Sequence, residues 1–253
     1  MGGWKMDYVV ARELNGLYII LDIMFLLLLG FMLLKLKRRL AFLFGVAGAI
    51  LYFIVDFGIF NLLLHTRVVT GANTFWFLLW LSTSYGFTNF VWIWLFLNKD
   101  KKILEWSLLI VIGWFAVALI SQSFGADFVH ISISRGTGSY HGAMAIILFV
   151  GYGYAIIRNL LAKGEKPFPI LKMLFIGIIV QFSWEAVLLL GGIRPEGWNP
   201  LIINSLLETN LGIPYLFLIH KAIVRHRSED GAKVLVPEPK MQLGDEALQM
   251  ESI

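Results

Sequence analysis

Four acidic side chains lie inside long apolar stretches of the sequence: Asp22, Asp56, Glu185 and Glu208. An acid at the centre of a bilayer costs on the order of 3 kcal/mol on insertion scales, so its presence there favours a functional role. The last three each lie eight residues, or about 12 Å, from an end of their apolar stretch. The sequence therefore predicts three carboxyl groups at one level of a membrane protein, and they are the candidate catalytic residues.

Other polar side chains are predicted at the same level as the three acids. Asn204 and Glu208 are four residues apart and so share one face of a helix. We interpret the pattern as a polar cavity that opens to the outside, with two arginines at its mouth. The candidate substrate-binding residues are Tyr85, His141, Gln181, Trp184, Asn204, Asn210, Arg67 and Arg194.

The acids and amides also have a purely structural interpretation. Intramembrane acids and amides also join helices by hydrogen bonds without any chemistry. His130 and His141 lack a closely spaced second ligand, whereas metal sites need several convergent ones. The sequence predicts neither a metal site nor a cofactor, and it contains no phosphate-binding or dinucleotide-binding motif.

The elements that must position these residues are predicted to be transmembrane helices. Apolar residues make up 58% of the 253 residues and charged residues only 15%, against about a quarter in soluble domains. A transmembrane helix needs about 20 mostly apolar residues. We predict an all-α polytopic membrane protein with seven spans, over 17–34, 40–64, 74–97, 106–124, 138–157, 171–193 and 200–219.

Basic residues between the predicted spans indicate the orientation. They concentrate in the gaps after spans one, three, five and seven, whereas the alternate gaps hold one each: Arg67, Arg135 and Arg194. Positive loops stay in the cytoplasm, which predicts a cell-membrane protein with an extracytoplasmic amino terminus and a cytoplasmic carboxyl terminus. The net charge of +4 is spread over these short gaps and does not indicate a nucleic-acid partner. The lipid bilayer is the expected partner, and the oligomeric state stays open.

The predicted organisation is an extracytoplasmic segment 1–16, a helical domain 17–220 and a disordered cytoplasmic tail 221–253. A repeat is also indicated within the helical domain. Asp56 and Glu185 are 129 residues apart, and Arg67 and Arg194 are 127 apart. Helices one to three would then correspond to helices five to seven, with helix four as a connector, which is a parallel 3+1+3 repeat. Chance similarity of two apolar hairpins is the alternative.

Two classes of activity fit an acid-lined cavity. Buried carboxyl groups could carry protons or cations in a small-solute transporter, and parallel repeats occur in such proteins. Alternatively, a carboxylic acid could act as a general acid on a lipophilic substrate, with aromatic faces stabilising a carbocation. The polar residues cluster in the outer half, which favours the enzyme. A non-catalytic sensor or assembly partner also fits.

One family resemblance accompanies the enzyme interpretation. The stretch Phe182-Ser183-Trp184-Glu185, and Glu208 followed by Gly212 and Tyr215, resemble pieces of the small seven-helix membrane-bound terpene cyclases of meroterpenoid biosynthesis. In that family the Ser-Trp-Glu type motif lies in the second helix, whereas here it lies in the sixth, and Asp56 takes the second-helix position. The resemblance implies metal-independent protonation of a prenyl-type lipid by Asp56, Glu185 or Glu208, followed by cyclisation.

Overall fold

The computed structural model describes residues 8–136, 140–164, 167–195 and 198–235. Within those ranges the chain forms eight α-helices, one π-helical segment and one small sheet. The helices are α1 (Gly16–Lys35), α2 (Arg39–Phe53), α3 (Thr74–Leu97), α4 (Ile103–Phe124), α5 (Tyr140–Leu161), α6 (Ile170–Leu190), α7 (Trp198–Leu207) and α8 (Ile213–Leu235). The predicted all-helical character is confirmed for the bulk of the chain.

Five of the described helical segments are long and apolar enough to cross a membrane: Gly16–Lys35, Arg39–Leu63, Ile103–Phe124, Gly142–Leu161 and Ile170–Leu190. Such helices are typical of a membrane protein. The 24-residue α3 has the bounds predicted for the third span and carries no charged residue. It is rich in Trp, Ser, Thr and Asn instead of aliphatic residues, and most of it is buried among the other helices.

Two helical segments of the predicted spans are irregular, and both carry candidate acids. After Phe53 the second span continues as a π-helix over Ile54–Leu63, which contains Asp56. Short π-helical segments inside helices are frequent at functional sites. The predicted seventh span is interrupted, because α7 ends at Leu207 and a turn over 208–212 precedes α8. Glu208 begins this turn.

A three-stranded antiparallel sheet, absent from our sequence predictions, joins the segments that precede α1, α3 and α5. Its strands are β1 (Tyr8–Asn15), β2 (Arg67–Thr70) and β3 (His130–Gly136), in the order β1-β3-β2. Alternation of Ile and Ser over 131–134 is a strand signal that was available in the sequence. The register shifts between Val10 and Arg12, which marks a bulge in β1.

Side-chain caps and close backbone approaches hold these elements together. Asn15 accepts a hydrogen bond from the Tyr18 amide at the start of α1, and Asn73 accepts one from Phe75 at the start of α3. Both are ordinary amino-terminal caps. Helices α2 and α3 cross closely at Gly48, where a Cβ atom would lie 2.6 Å from the carbonyl oxygen of Gly86.

The chain divides into two compact units, residues 1–217 and 218–253. The described part of the second unit is the remainder of α8, which continues to Leu235. Residues 221–235 were predicted to be disordered and are helical in the structure. Strong helix formers such as Lys, Arg and Ala populate this segment. Residues 236–253 of the predicted tail lie outside the described residues.

Candidate site: a buried cluster of acids and arginines

The first acid of the cluster is paired with a strand residue. Arg67 at the start of β2 donates from Nε to Oδ1 of Asp56 at 2.7 Å. The guanidinium also lies 4.4 Å from the ring centroid of Phe60. The side chains of Arg67 and Asp56 are 6% and 14% exposed. Asp56 is therefore neutralised by the arginine that the sequence predicted at a cavity mouth.

The second acid is more deeply enclosed and has more partners. Arg194, in the loop after α6, lies with Nη2 2.6 Å from Oε2 of Glu185, whose side chain is 1% exposed. The other carboxylate oxygen accepts hydrogen bonds from Asn204 at 3.1 Å and from Gln181 at 3.3 Å. A buried carboxylate needs both a counter-ion and donors for its remaining lone pairs. Glu185 has both.

Gln181 is the centre of the hydrogen-bond network. Its Nε2 atom donates to Oε2 of Glu208 at 2.9 Å as well as to Glu185. Its Oε1 atom accepts from the hydroxyl groups of Tyr85 at 2.8 Å and Thr209 at 2.6 Å. One amide thus brings two carboxyl groups together, from α6 and from the turn after α7. The interruption of the predicted seventh span allows this contact, because Glu208 and Thr209 both lie in the turn between α7 and α8.

Two further arginines of the cluster come from the sheet and were not among the predicted site residues. Arg12 of β1 is buried, and burial, with Arg135 and Arg194 nearby, lowers its pKa to about 10. Burial alone would lower the pKa of Arg135 on β3, but Asp56 and Glu208 outweigh it and raise that pKa. The strands therefore bring positive charge over the acids. The sequence showed single basic residues in these segments but not that the segments pair.

Aromatic side chains extend from the cluster into the bundle. The ring of Tyr85 lies 5.5 Å from that of Trp184, and Trp184 lies 4.4 Å from Trp114 in an edge-to-face contact. The Arg12 guanidinium lies over the rings of Trp184 and Tyr85, at 5.3 and 5.8 Å from their centroids. Both candidate aromatic residues of the sequence therefore border the cluster.

The remaining candidates have different positions. Asn210 is buried, and its Oδ1 accepts from the Tyr152 hydroxyl at 3.1 Å while its Nδ2 donates to the Ser205 carbonyl at 3.4 Å. No acid is among these partners. Asp22, which is not among the three candidate acids, is buried, and its Oδ2 accepts from Nε1 of Trp80 at 2.9 Å. The side chain of His141 lies outside the described residues.

A narrow cleft without room for a water molecule lies beside the cluster. Its described lining consists of Arg12, Leu14, Tyr18, Trp80, Leu81, Ser84, Trp184, Leu188 and Ile193, with no acid among them. The acids that were predicted to line a cavity are thus engaged with arginines and amides instead. Among the described side chains, no group of three or more His, Asp or Glu residues has the arrangement of a metal site.

Comparison of the chain with protein-family models, with curated proteins and with solved structures finds no match. The geometry of the site itself therefore carries the functional argument.

Proposed function

We propose that the protein is a membrane-bound enzyme that performs general-acid chemistry on a prenyl-type lipid, with Glu208 as the proton donor. The observation that carries this proposal is the difference between Glu208 and its neighbours. Asp56 and Glu185 are each ion-paired with an arginine, whereas Glu208 forms no ion pair among the described residues and accepts from a neutral amide. A carboxyl group with a neutral partner is better suited to hold a transferable proton.

The surroundings of Glu208 support lipid chemistry. Glu185, fixed by Arg194, supplies a negative charge next to the reacting group, and the faces of Tyr85 and Trp184 lie beside the same cluster. Negative charge and aromatic faces both stabilise a carbocation. The resemblance to membrane-bound terpene cyclases implies protonation of a prenyl-type lipid by one of the three acids, followed by cyclisation. We propose the cyclisation together with the proton transfer.

The inner half of the bundle favours a reaction site over a transport path. From Phe90 to Leu97, α3 presents only apolar and tryptophan side chains, and all but Phe96 are buried. A transport path needs polar groups at both ends, whereas the network of acids, arginines and amides described above lies at the sheet end. The proposed site is therefore closed toward the cytoplasm.

The proposed topology is seven spans with the amino terminus outside, so that α3 and the interrupted α7–α8 segment also cross the bilayer. Basic residues in alternate gaps support this orientation. The parallel repeat is supported by a correspondence between hairpins. Gly48 and Gly177 each precede a paired acid, Asp56 or Glu185, by eight residues, and each permits a close approach, of α3 at Gly48 and of Asn210 in the turn after α7 at Gly177.

The experiment that tests the function is comparative lipid analysis of cells that express the wild-type protein or Glu208→Gln. We expect a prenyl-type lipid to change with the wild-type protein and to revert with the variant, because glutamine cannot donate a carboxylic proton. Glu105→Gln is the matched control, since the same change falls on an exposed residue of α4. Loss of the lipid change in both variants, or its persistence in Glu208→Gln, would contradict the assignment.

A proton-coupled transporter is the second candidate, and the interrupted seventh helix favours it. Discontinuous helices often carry ion and substrate sites in secondary transporters. Purified protein in proteoliposomes distinguishes the two. Proton uptake that depends on Glu208, without any lipid product, would replace the enzyme by the transporter.

A further inference from the structure

Two turns at the end of the bundle opposite the sheet share an unusual backbone conformation. Helix α1 ends two residues before Lys37 and α3 ends two residues before Lys99, and both lysines are left-handed, with φ of 59° and 51°. In each turn the lysine amide donates to a carbonyl three residues earlier, and the next amide donates to one five residues earlier. Glycine is the residue that such turns favour. The protein therefore keeps a lysine at two positions where glycine would be more stable.

An ion pair joins the two turns. Arg38 directly follows Lys37, and Asp100 directly follows Lys99. The Arg38 guanidinium donates to both carboxylate oxygens of Asp100, with Nη2 3.3 Å from Oδ1. Asp100 also accepts from the Lys102 amide at 2.9 Å. The acid beside Lys99 is therefore already neutralised, and the exposed Lys37 and Lys99 form no ion pair with any described residue.

A third lysine comes from the start of α6. Lys172 is half-buried, and it lies close enough to Lys99 for the two positive charges to repel each other. Within the part of the chain that the structure describes, Lys172 has no ion pair. Lys101 and Lys102 are exposed beside Lys99, and the exposed Glu105 offsets only part of this charge. Positive charges held together in this way attract an anion.

Apolar side chains beside these lysines place them at the membrane surface. Leu171 precedes Lys172 and is 83% exposed, and Leu36 precedes Lys37 and is 39% exposed. Both leucines lie at the ends of helices that are long and apolar enough to cross a bilayer. Exposed leucines at such helix ends face lipid chains, so the neighbouring cations lie at the level of the lipid phosphates. This position favours a lipid over a soluble phosphate compound.

We propose that the lysine cluster, defined as Lys37, Lys99 and Lys172, binds the phosphate headgroup of an anionic phospholipid. Each ammonium group supplies a compact positive charge with three hydrogen-bond donors, which suits phosphate oxygens. The ion pair between the turns fixes the backbone that carries the first two lysines. Basic residues between transmembrane helices bind such headgroups in other membrane proteins. The proposal rests on the membrane location of the chain and not on acid chemistry at Glu208.

Native mass spectrometry of the purified full-length chain tests the proposal. The protein is released from detergent micelles that contain equal amounts of phosphatidylglycerol and phosphatidylcholine, and the lipid retained on the protein is measured. We expect phosphatidylglycerol to be retained at least about fivefold more than phosphatidylcholine, since each basic residue near a lipid phosphate contributes on this scale. An excess of glycerol 3-phosphate should leave the retained lipid unchanged, which distinguishes a lipid site from a site for soluble phosphates.

Variants assign the binding to the lysine cluster. Lys37→Gly and Lys99→Gly remove charge where glycine suits the backbone, so the double variant should unfold in neutral detergent at the wild-type temperature or above. Each change should lower the preference for phosphatidylglycerol about fivefold, and Lys172→Gln should do the same. Lys163→Gln is the matched control, because Lys163 is exposed in the loop before α6 and belongs to neither turn. Glu208→Gln should keep the preference, which separates this proposal from the proposed reaction.

Three results would overturn the proposal. The first is equal retention of the two lipids by the wild-type protein, which needs no variant. The second is a preference that persists in the folded double glycine variant, or that falls equally in Lys163→Gln, since the lipid would then respond only to diffuse surface charge. The third is displacement of the lipid by glycerol 3-phosphate, which would make the cluster a site for soluble phosphates.

Discussion

The helix pairs α2–α3 and α6–α7 are each associated with a glycine, an acid and an arginine at similar spacings, but the two acids differ in burial and in partners. A glycine allows close approach in both places, of α3 at Gly48 and of the turn after α7 at Gly177, an acid follows eight residues later, and an arginine beyond the helix neutralises that acid. Asp56 lies in a π-helix with its side chain 14% exposed, whereas Glu185 lies in a regular helix with its side chain 1% exposed. The α6–α7 pair also holds a second acid, Glu208, in the turn that interrupts the last helix.

The difference between the two pairs distinguishes an acid that only stabilises the fold from an acid that lies beside a candidate reacting group. A carboxylate with one arginine and partial exposure, such as Asp56, is stabilised by a single contact. Glu185 needs Arg194, Gln181 and Asn204 together because little water reaches it. The same amide then holds Glu208 beside it. The α6–α7 pair is therefore the one in which a second carboxyl group lies beside an ion-paired acid.

The largest effect is expected from breaking the enclosed ion pair. Arg194→Ala leaves Glu185 buried without its counter-ion, and removal of one partner of a buried pair lowers stability by about 3–5 kcal/mol. Chemical unfolding of the detergent-solubilised protein measures this change. The double variant Arg194→Ala/Glu185→Gln should recover most of the loss, because the unpaired charge is gone. Equal instability of single and double variants would mean that the charge does not dominate.

The close helix approaches should come next. Gly48→Ala places a Cβ atom 2.6 Å from the Gly86 carbonyl oxygen, and Gly177→Ala places one in steric overlap with Oδ1 of Asn210. Overpacking of this kind lowers the free energy of unfolding by about 2–3 kcal/mol. Gly153→Ala in α5 is the control, since no atom lies within 4 Å of the position that its new methyl group would take, and alanine favours helix. If Gly177→Ala leaves the free energy of unfolding unchanged, the proposed correspondence between the two hairpins is wrong.

Breaking the more exposed ion pair should have a smaller effect than breaking the enclosed one. Arg67→Ala removes the partner of Asp56, whose partly exposed carboxylate retains some hydration, and we expect a loss of about 1–2 kcal/mol. The same unfolding measurement, made beside Arg194→Ala, ranks the two pairs directly. A larger loss of stability for Arg67→Ala than for Arg194→Ala would mean that Asp56, and not Glu185, depends more on its arginine.

The smallest effect is expected at the opposite ends of the helices, where Arg38 pairs with Asp100. Burial alone would raise the pKa of Asp100, but hydrogen bonds from Arg38 and from the Lys102 amide outweigh it and lower the pKa. This stabilisation is present above the ordinary aspartate pKa of about 3.9 and is lost as the pH falls through the lower folded value.

Asp100→Asn tests that ion pair. We expect it to lower stability at neutral pH by less than about 1 kcal/mol, because Arg38 is one-third exposed and screened by solvent. The difference from the wild-type protein should shrink as the pH falls from about 3.9 through the lower pKa of Asp100 in the folded protein. Unfolding curves at neutral and acidic pH measure it. A difference that does not change with pH would mean that the charge of Asp100 contributes nothing.

The sequence alone determined where most of the long helices lie and identified the three acids of the cluster with two of its arginines. Long apolar stretches have few stable alternatives to a helix, so the bounds of α3 were predicted to the residue. Acids in apolar stretches are so unfavourable without partners that Asp56, Glu185 and Glu208 could be identified by composition. Arg67 and Arg194 followed from their position just beyond the apolar stretches that carry Asp56 and Glu185. These are local properties, readable from hydrophobicity and spacing.

The tertiary structure decided how those groups are partnered. Pairing of β1, β2 and β3 depends on segments more than 50 residues apart in the chain, and it brings Arg12 and Arg135 to the acids. The π-helix at Asp56 and the interruption at Glu208 likewise arise from packing, since regular helix satisfies the local backbone equally well. Asp56 and Glu185, which the sequence suggested as the lining of a cavity, are ion-paired in the fold, whereas Glu208 accepts from the Gln181 amide. The contact between Gln181 and Glu208 follows from the packing of α7 against α6, which no local pattern specifies.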